Sequence, residues 1–190
     1  SCGEYCFFLN SGDWLVSPDI FRNIFLEPCN QDFLFGNMYI CEKGRVVEKS
    51  IPSSSITFMD LYLSKIKHQA CFIKRSMFDK YGLYKESNKI VSDWELLIRA
   101  IGLQNATYRY FNEFITFFDN SGISNNSHEI RIEERNRILE ESIPPKVLAD
   151  YRLYEKHEFL KPAFKFKLTY LALRFISKLA KEFDKLRSGR

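Results

Sequence analysis

The chain has 190 residues, enough for one domain with a real core or for one domain and an appendage. An apolar content of 45%, with 18 Phe and 10 Tyr, excludes disorder and asks for an aromatic core, while no run approaches the ~18 apolar residues of a membrane span. The net charge of +4 hides an asymmetry, because residues 156–190 hold ten Lys/Arg against three Asp/Glu and the rest of the chain is mildly acidic. The five cysteines show no spacing of a zinc site or redox motif, which points to free thiols in a cytosolic protein. No signal-peptide pattern opens the chain. No Met opens it either, and it begins almost directly before a buried strand, so the expectation is a piece lacking its N-terminal part.

The first element is an unbroken apolar run, Tyr5-Cys6-Phe7-Phe8-Leu9, which suits a strand covered on both faces. Asn10-Ser11-Gly12-Asp13 comes next. These are ordinary turn residues, yet the loop beyond the carboxyl end of a strand is also where open α/β sheets hold ligands. Ser17-Pro18-Asp19 then starts a short helix carrying Ile20, Phe21, Ile24 and Phe25. Residues 32–41 and 46–49 read as a hairpin around Lys43-Gly44, and residues 51–56 as a Ser-rich loop. Ala70-Cys71-Phe72-Ile73 is a compact buried strand, succeeded by a short helix ended by Gly82. Ser92-Asp93-Trp94-Glu95 has the spacing of a capping box and opens a buried helix. Two further strands are expected at 106–111 and 114–118, then a polar loop whose Gly122-Ile123-Ser124 offers N–H groups to an anion, then a charged helix over about 129–141. The last periodic segment, about 162–187, places Phe164, Leu168, Leu171, Phe175, Leu179, Phe183 and Leu186 on one face and Lys167, Arg174, Lys178, Lys181 and Lys185 on another. This is a basic amphipathic helix, fit for an anionic membrane surface or for packing on its own domain; its apolar face argues against nucleic acid.

Asp13 and Asp93 are the acids of interest, since each sits where a strand or loop meets a helix. A carboxylate at a strand end suits a divalent cation holding a diphosphate, and one at a helix start suits a general base. Each also has an ordinary reading, a turn residue for Asp13 and helix-start chemistry for Asp93. His68 and His128 lack partners at metal-ligand spacing, and His157 lies in a charged helix.

Three stretches in order resemble the family 2 glycosyltransferases. Gly3-Glu4-Tyr5 with Phe8-Leu9-Asn10-Ser11-Gly12-Asp13-Trp14 is similar to the strand and acidic motif for metal and nucleotide-sugar. The segment from His68 to Arg75 with Phe78-Asp79-Lys80-Tyr81-Gly82-Leu83-Tyr84 resembles the central segment, and Ser92-Asp93-Trp94-Glu95-Leu96 resembles the motif carrying the catalytic base. Asp13 is the only acid of the first motif, Asn10 and Gly12 standing where the family often has Asp. The resemblance implies an α/β fold of the nucleotide-diphosphosugar transferase type, a mixed and mainly parallel sheet flanked by helices. Its N-terminal units, and with them much of the donor site, would be absent. Residues 1–125 would form the C-terminal part of a catalytic domain and residues 126–190 a helical extension.

The activity implied is inverting transfer of a sugar to a hydroxyl, in polysaccharide or glycoconjugate synthesis. In that reading Asp93 is the base, while Asn10, Ser11 and Asp13 face the donor. Asp13 holds Mg²⁺ or Mn²⁺, and His68 and Trp94 lie near the acceptor or diphosphate. The partners implied are a nucleotide-diphosphosugar, a glycan or lipid-linked acceptor, and an anionic membrane surface at residues 160–187. The location would be cytoplasmic, peripheral on the inner face of the membrane, with an exposed sheet edge favouring a homo-oligomer. The competing reading is a non-catalytic membrane-associated or scaffolding module that keeps a degenerate transferase fold.

Overall fold

A computed structural model of the chain describes residues 3–120, 127–157 and 167–188. Two compact units form, Ser1–Ile143 and Pro144–Arg190. The first contains β1 (Tyr5–Phe7), β2 (Trp14–Leu15), α1 (Ile20–Ile24), β3 (Phe33–Glu42), β4 (Arg45–Ser50) and α2 (Phe58–Tyr62). A 3₁₀ turn (His68–Ala70), β5 (Cys71–Lys74), α3 (Ser76–Tyr81) and α4 (Ser92–Leu97) come after these. A π-helical turn (Ile98–Leu103), β6 (Tyr108–Asp119) and α5 (His128–Ser142) complete it. The second unit contains α6 (Pro145–His157) and α7 (Lys167–Ser188). The Gly122-Ile123-Ser124 loop and residues 162–166 of the expected tail helix lie outside the described residues.

The six strands make one sheet in the order β1-β5-β3-β6-β2, with β4 also paired to β3. This corrects the expectation of a mainly parallel sheet. Only β3 and β6 run parallel, while β1·β5, β3·β5, β3·β4 and β2·β6 are antiparallel. The physical reason is that an apolar run reports burial on both faces, which an antiparallel strand covered by helices shares. Leu34, Met38, Phe72 and Ile115 pack with Ile20 and Ile24 of α1 in one core cluster. Phe33, Phe35, Cys71 and Ile73, which alternate with residues of that cluster along β3 and β5, are equally buried, so these strands are covered on both sides.

The two strands expected at 106–111 and 114–118 are one strand, β6, with its register against β3 shifted around Asn37. Extra residues in β6 bulge it there. The Tyr110 hydroxyl donates to Asn37 Oδ1 at 2.8 Å, and Asn37 Nδ2 donates to Asn112 Oδ1 at 3.2 Å, which gives the polar bulge its partners. Gly36 is required opposite it, since a Cβ there would lie 2.7 Å from the Glu113 carbonyl oxygen.

Candidate functional site

Strand pairing brings distant segments to one sheet edge. β1 and β5 are antiparallel with Phe7 opposite Phe72, so the residues after β1 meet those before β5. These are Asn10 and His68. Likewise β2 and β6 are antiparallel with Trp14 opposite Phe117, which sets Asp13 against Asp119.

His68 begins the 3₁₀ turn, and the buried Thr116 hydroxyl ties this turn to β6 by donating to the Gln69 carbonyl at 2.9 Å. The imidazole Nδ1 contacts the Asp93 Oδ2, and Nε2 lies 3.2 Å from Asn10 Nδ2. Nδ1–H donates to Asp93 in either charge state of the ring, and in the neutral ring Nε2 accepts from the Asn10 amide. Burial alone would raise the Asp93 pKa. The hydrogen bond and charge of His68, with the N–H groups of Trp94 and Asp93, outweigh it and hold the acid below the usual carboxylate range.

Asp13 has the opposite balance. Burial raises its pKa, and the Asp119 N–H and the His68 charge offset this only in part. Its Oδ1 accepts the Asp119 N–H at 2.9 Å, whereas its Oδ2 is buried with no hydrogen-bond partner. Gly12, at φ 93°, allows the approach, because a Cβ would stand 3.2 Å from Asp119 Oδ2. Ser11 is exposed.

Trp94 is buried rather than facing open space. Its indole N–H donates to the Leu61 carbonyl at 2.8 Å, and the Arg135 guanidinium lies 4.3 Å from its ring. The structure therefore gathers Asn10, His68 and Asp93 into one contact series with Asp13 nearby, and turns Trp94 inward.

The capping box expected at Ser92 does not form. The Ser92 hydroxyl donates to the carbonyls of Lys85 and Asn88, and Glu95 is buried against Asn88 Nδ2 at 2.6 Å and Lys85 Nζ at 2.5 Å. The start of α4 is held by Glu134 of α5, which accepts from the N–H groups of Lys89 at 2.6 Å, Ile90 at 3.1 Å and Val91 at 3.3 Å. A capping box does exist at Thr57 and Asp60, on α2. Sequence reasoning misses Glu134 and Asp119; the one available signal is an acid at position 134, a turn before the buried Ile138 on α5.

An implied divalent cation can be tested against these residues. The orphaned Asp13 Oδ2 suits a hard cation, but no group of three His, Cys, Asp or Glu side chains fit to hold a metal occurs among the described residues. The described residues offer at most part of a coordination shell. Among the described residues, no helix is long and apolar enough to cross a membrane.

The mixed sheet with its helices is consistent with a glycosyltransferase-like fold. A solved structure similar to it is that of S. aureus TarS 1–349, a glycosyltransferase, in complex with UDP. The TM-score is 0.51 at 17% identity, over 89% of this chain and 49% of that one, so the chain spans about half the length of that protein. No family model matches the sequence, and no curated protein matches it.

Proposed function

We propose that the chain contributes to transfer of a sugar from a nucleotide-diphosphosugar to an acceptor hydroxyl with inversion at the anomeric carbon, as a member of family 2. The carrying observation is the Asn10–His68–Asp93 series at one sheet edge of a glycosyltransferase-like fold. Asp93 is ionised at neutral pH, and His68 orients it. As the acceptor oxygen bonds to the anomeric carbon, its proton passes to the Asp93 carboxylate. The bond from that carbon to the diphosphate breaks, and the electron pair leaves with the diphosphate. Asn10, Ser11 and Asp13 form the donor side. A bound Mg²⁺ or Mn²⁺ would be held by Asp13 Oδ2 and by diphosphate oxygens, and would neutralise the charge of the leaving group. The cytosolic face of an anionic membrane is the proposed place of work, reached through α7, whose Phe175 and Phe183 are 63% and 68% exposed.

The test is donor hydrolysis and sugar transfer by Asp93→Asn. The substitution keeps the shape and removes the base, and a loss of about 10²–10⁴ in kcat is expected. Turnover equal to wild type would remove Asp93 from the reaction.

A further inference from the structure

One face of the sheet carries a row of aromatic rings that the proposed reaction does not use. Leu15 of β2, Phe118 of β6, and Met38 and Ile40 of β3 pack toward α1, so their neighbours Trp14, Phe117 and Tyr39 stand on the opposite face. Register sets these three in line: Trp14 is opposite Phe117, Phe117 opposite Tyr39, and Tyr39 opposite Lys49 of β4. Their planes are nearly parallel. The ring centroids of Trp14 and Phe117 are 5.2 Å apart at 16°, those of Phe117 and Tyr39 4.9 Å at 19°, and those of Tyr39 and Phe114 4.0 Å at 12°. The Lys49 ammonium closes one end, 5.9 Å from the Tyr39 centroid and 5.8 Å from that of Phe114.

The other end is open. β2 is the last strand of the sheet among the described residues, and Trp14 is 43% exposed although Phe117 covers one face of its indole. The stack behind it holds the ring, so a ligand laid on the outer face pays little for ordering it. Charge at this end has one sign. The indole face is electron-rich, Asp13 precedes Trp14, and Asp119 follows Phe117 by two residues on the same face of β6. Such a surface repels phosphates. It complements a ligand with weakly positive C–H groups on a flat side and hydroxyl donors around the rim, which a pyranose has. The end is also continuous with the candidate site. The turn from Asn10 is closed by the Asp13 N–H donating to the Asn10 carbonyl at 3.1 Å, and chain reach keeps Trp14 within about 14 Å of Asn10.

We propose that the outer face of Trp14, backed by Phe117 and Tyr39, is a stacking subsite for a pyranose ring of a glycan acceptor. The choice of a sugar as occupant rests on the transferase reading, whereas the stack and its open end do not.

Tryptophan emission tests this, because Trp14 and Trp94 are the two tryptophans of the chain and Trp94 is buried. The chain is titrated with neutral tetrasaccharides of glucose, galactose, mannose and N-acetylglucosamine, and separately with tetramethylammonium. At least one tetrasaccharide gives a saturable blue shift whose midpoint UDP leaves in place. By calorimetry Trp14→Tyr binds it within about threefold of wild type, and Trp14→Ala at least about tenfold more weakly. Phe117→Ala, which removes the backing, weakens it by about threefold. No shift with any tetrasaccharide, a shift that survives Trp14→Ala, displacement by UDP, or a response to tetramethylammonium alone overturns the subsite. The two readings fail separately. Wild-type turnover by Asp93→Asn beside intact tetrasaccharide binding removes the transferase reading and leaves a glycan-binding surface, whereas transfer lost in Asp93→Asn with no tetrasaccharide binding removes this inference alone.

Discussion

Replacing Glu134 by alanine tests how α5 supports the candidate base. Its carboxylate accepts three backbone N–H groups in the segment leading into α4, those of Lys89, Ile90 and Val91. Losing the acceptor affects the three donors differently. Lys89 is exposed and its N–H rehydrates, Ile90 is half-buried, and Val91 is buried at 4% and stays unsatisfied. A hydrogen bond to a charged group contributes about 1.5–3 kcal/mol, and an orphaned buried donor costs about 1–3 kcal/mol. With the Lys89 bond discounted, Glu134→Ala should destabilise the first unit by about 3 kcal/mol. Equilibrium urea unfolding reads this as a lower midpoint at unchanged slope, and calorimetry as a fall of roughly 6–12 °C. Glu134→Gln keeps one acceptor oxygen and places an amide among donors, so it should cost about half as much. Since Val91 lies two residues before Asp93, both variants should also lose transfer activity. A Glu134→Ala protein within about 1 kcal/mol of wild type would refute the reasoning.

The Asp93 pKa is depressed in the folded state, so its contribution to stability is present above the ordinary carboxylate range and is lost as pH falls through the folded value. His68→Gln should therefore flatten the acid limb of stability below about pH 4, seen by pH-dependent urea midpoints. Asp13 is raised, so the sign reverses: its contribution falls as pH rises from the ordinary carboxylate range through the folded value. Asp13→Asn should leave the neutral-pH unfolding midpoint unchanged or higher while lowering transfer by about 10²-fold or more. Phe175→Ser with Phe183→Ser should weaken co-sedimentation with anionic vesicles at least about tenfold. Binding that is unchanged by that pair would end the membrane assignment.

Local chemistry made much of this fold legible. The Ser17-Pro18 helix start, the hairpin turn at Lys43-Gly44, the buried strand at Cys71 and the stop at Gly82 all stand near where pattern and turn residues put them. Strand direction was not legible, because pairing is settled by partners that can lie seventy-five residues apart, such as Phe33 and Tyr108. The false capping box shows a tertiary override: Ser92 and Glu95 have the right spacing, but nearer partners at Lys85 and Asn88 claim both side chains. For the site, Asn10, Asp13, His68 and Asp93 could be picked out as chemistry-bearing residues at element ends. Asp119 could not, because its backbone meets Asp13 across 106 positions.

The π-helical turn after α4 bears on how this sequence tolerates changes of length. Ile98–Leu103 closes its backbone hydrogen bonds one residue further along the chain than an α-helix does, and Ile98, Ala100 and Ile101 within it are all buried. Deleting one residue from α4, where the spacing is already the ordinary one, would rotate the chain beyond it by about 100°. Gly102 would then leave the face of Phe58, where any Cβ would come within 2.9 Å of the ring, and a larger neighbour would take its place. A surface loop such as the Ser-rich residues 51–56 can drift in length across generations. This helix cannot, and a one-residue frame shift inside it would be a lesion in packing that leaves every polar atom of the site nominally intact.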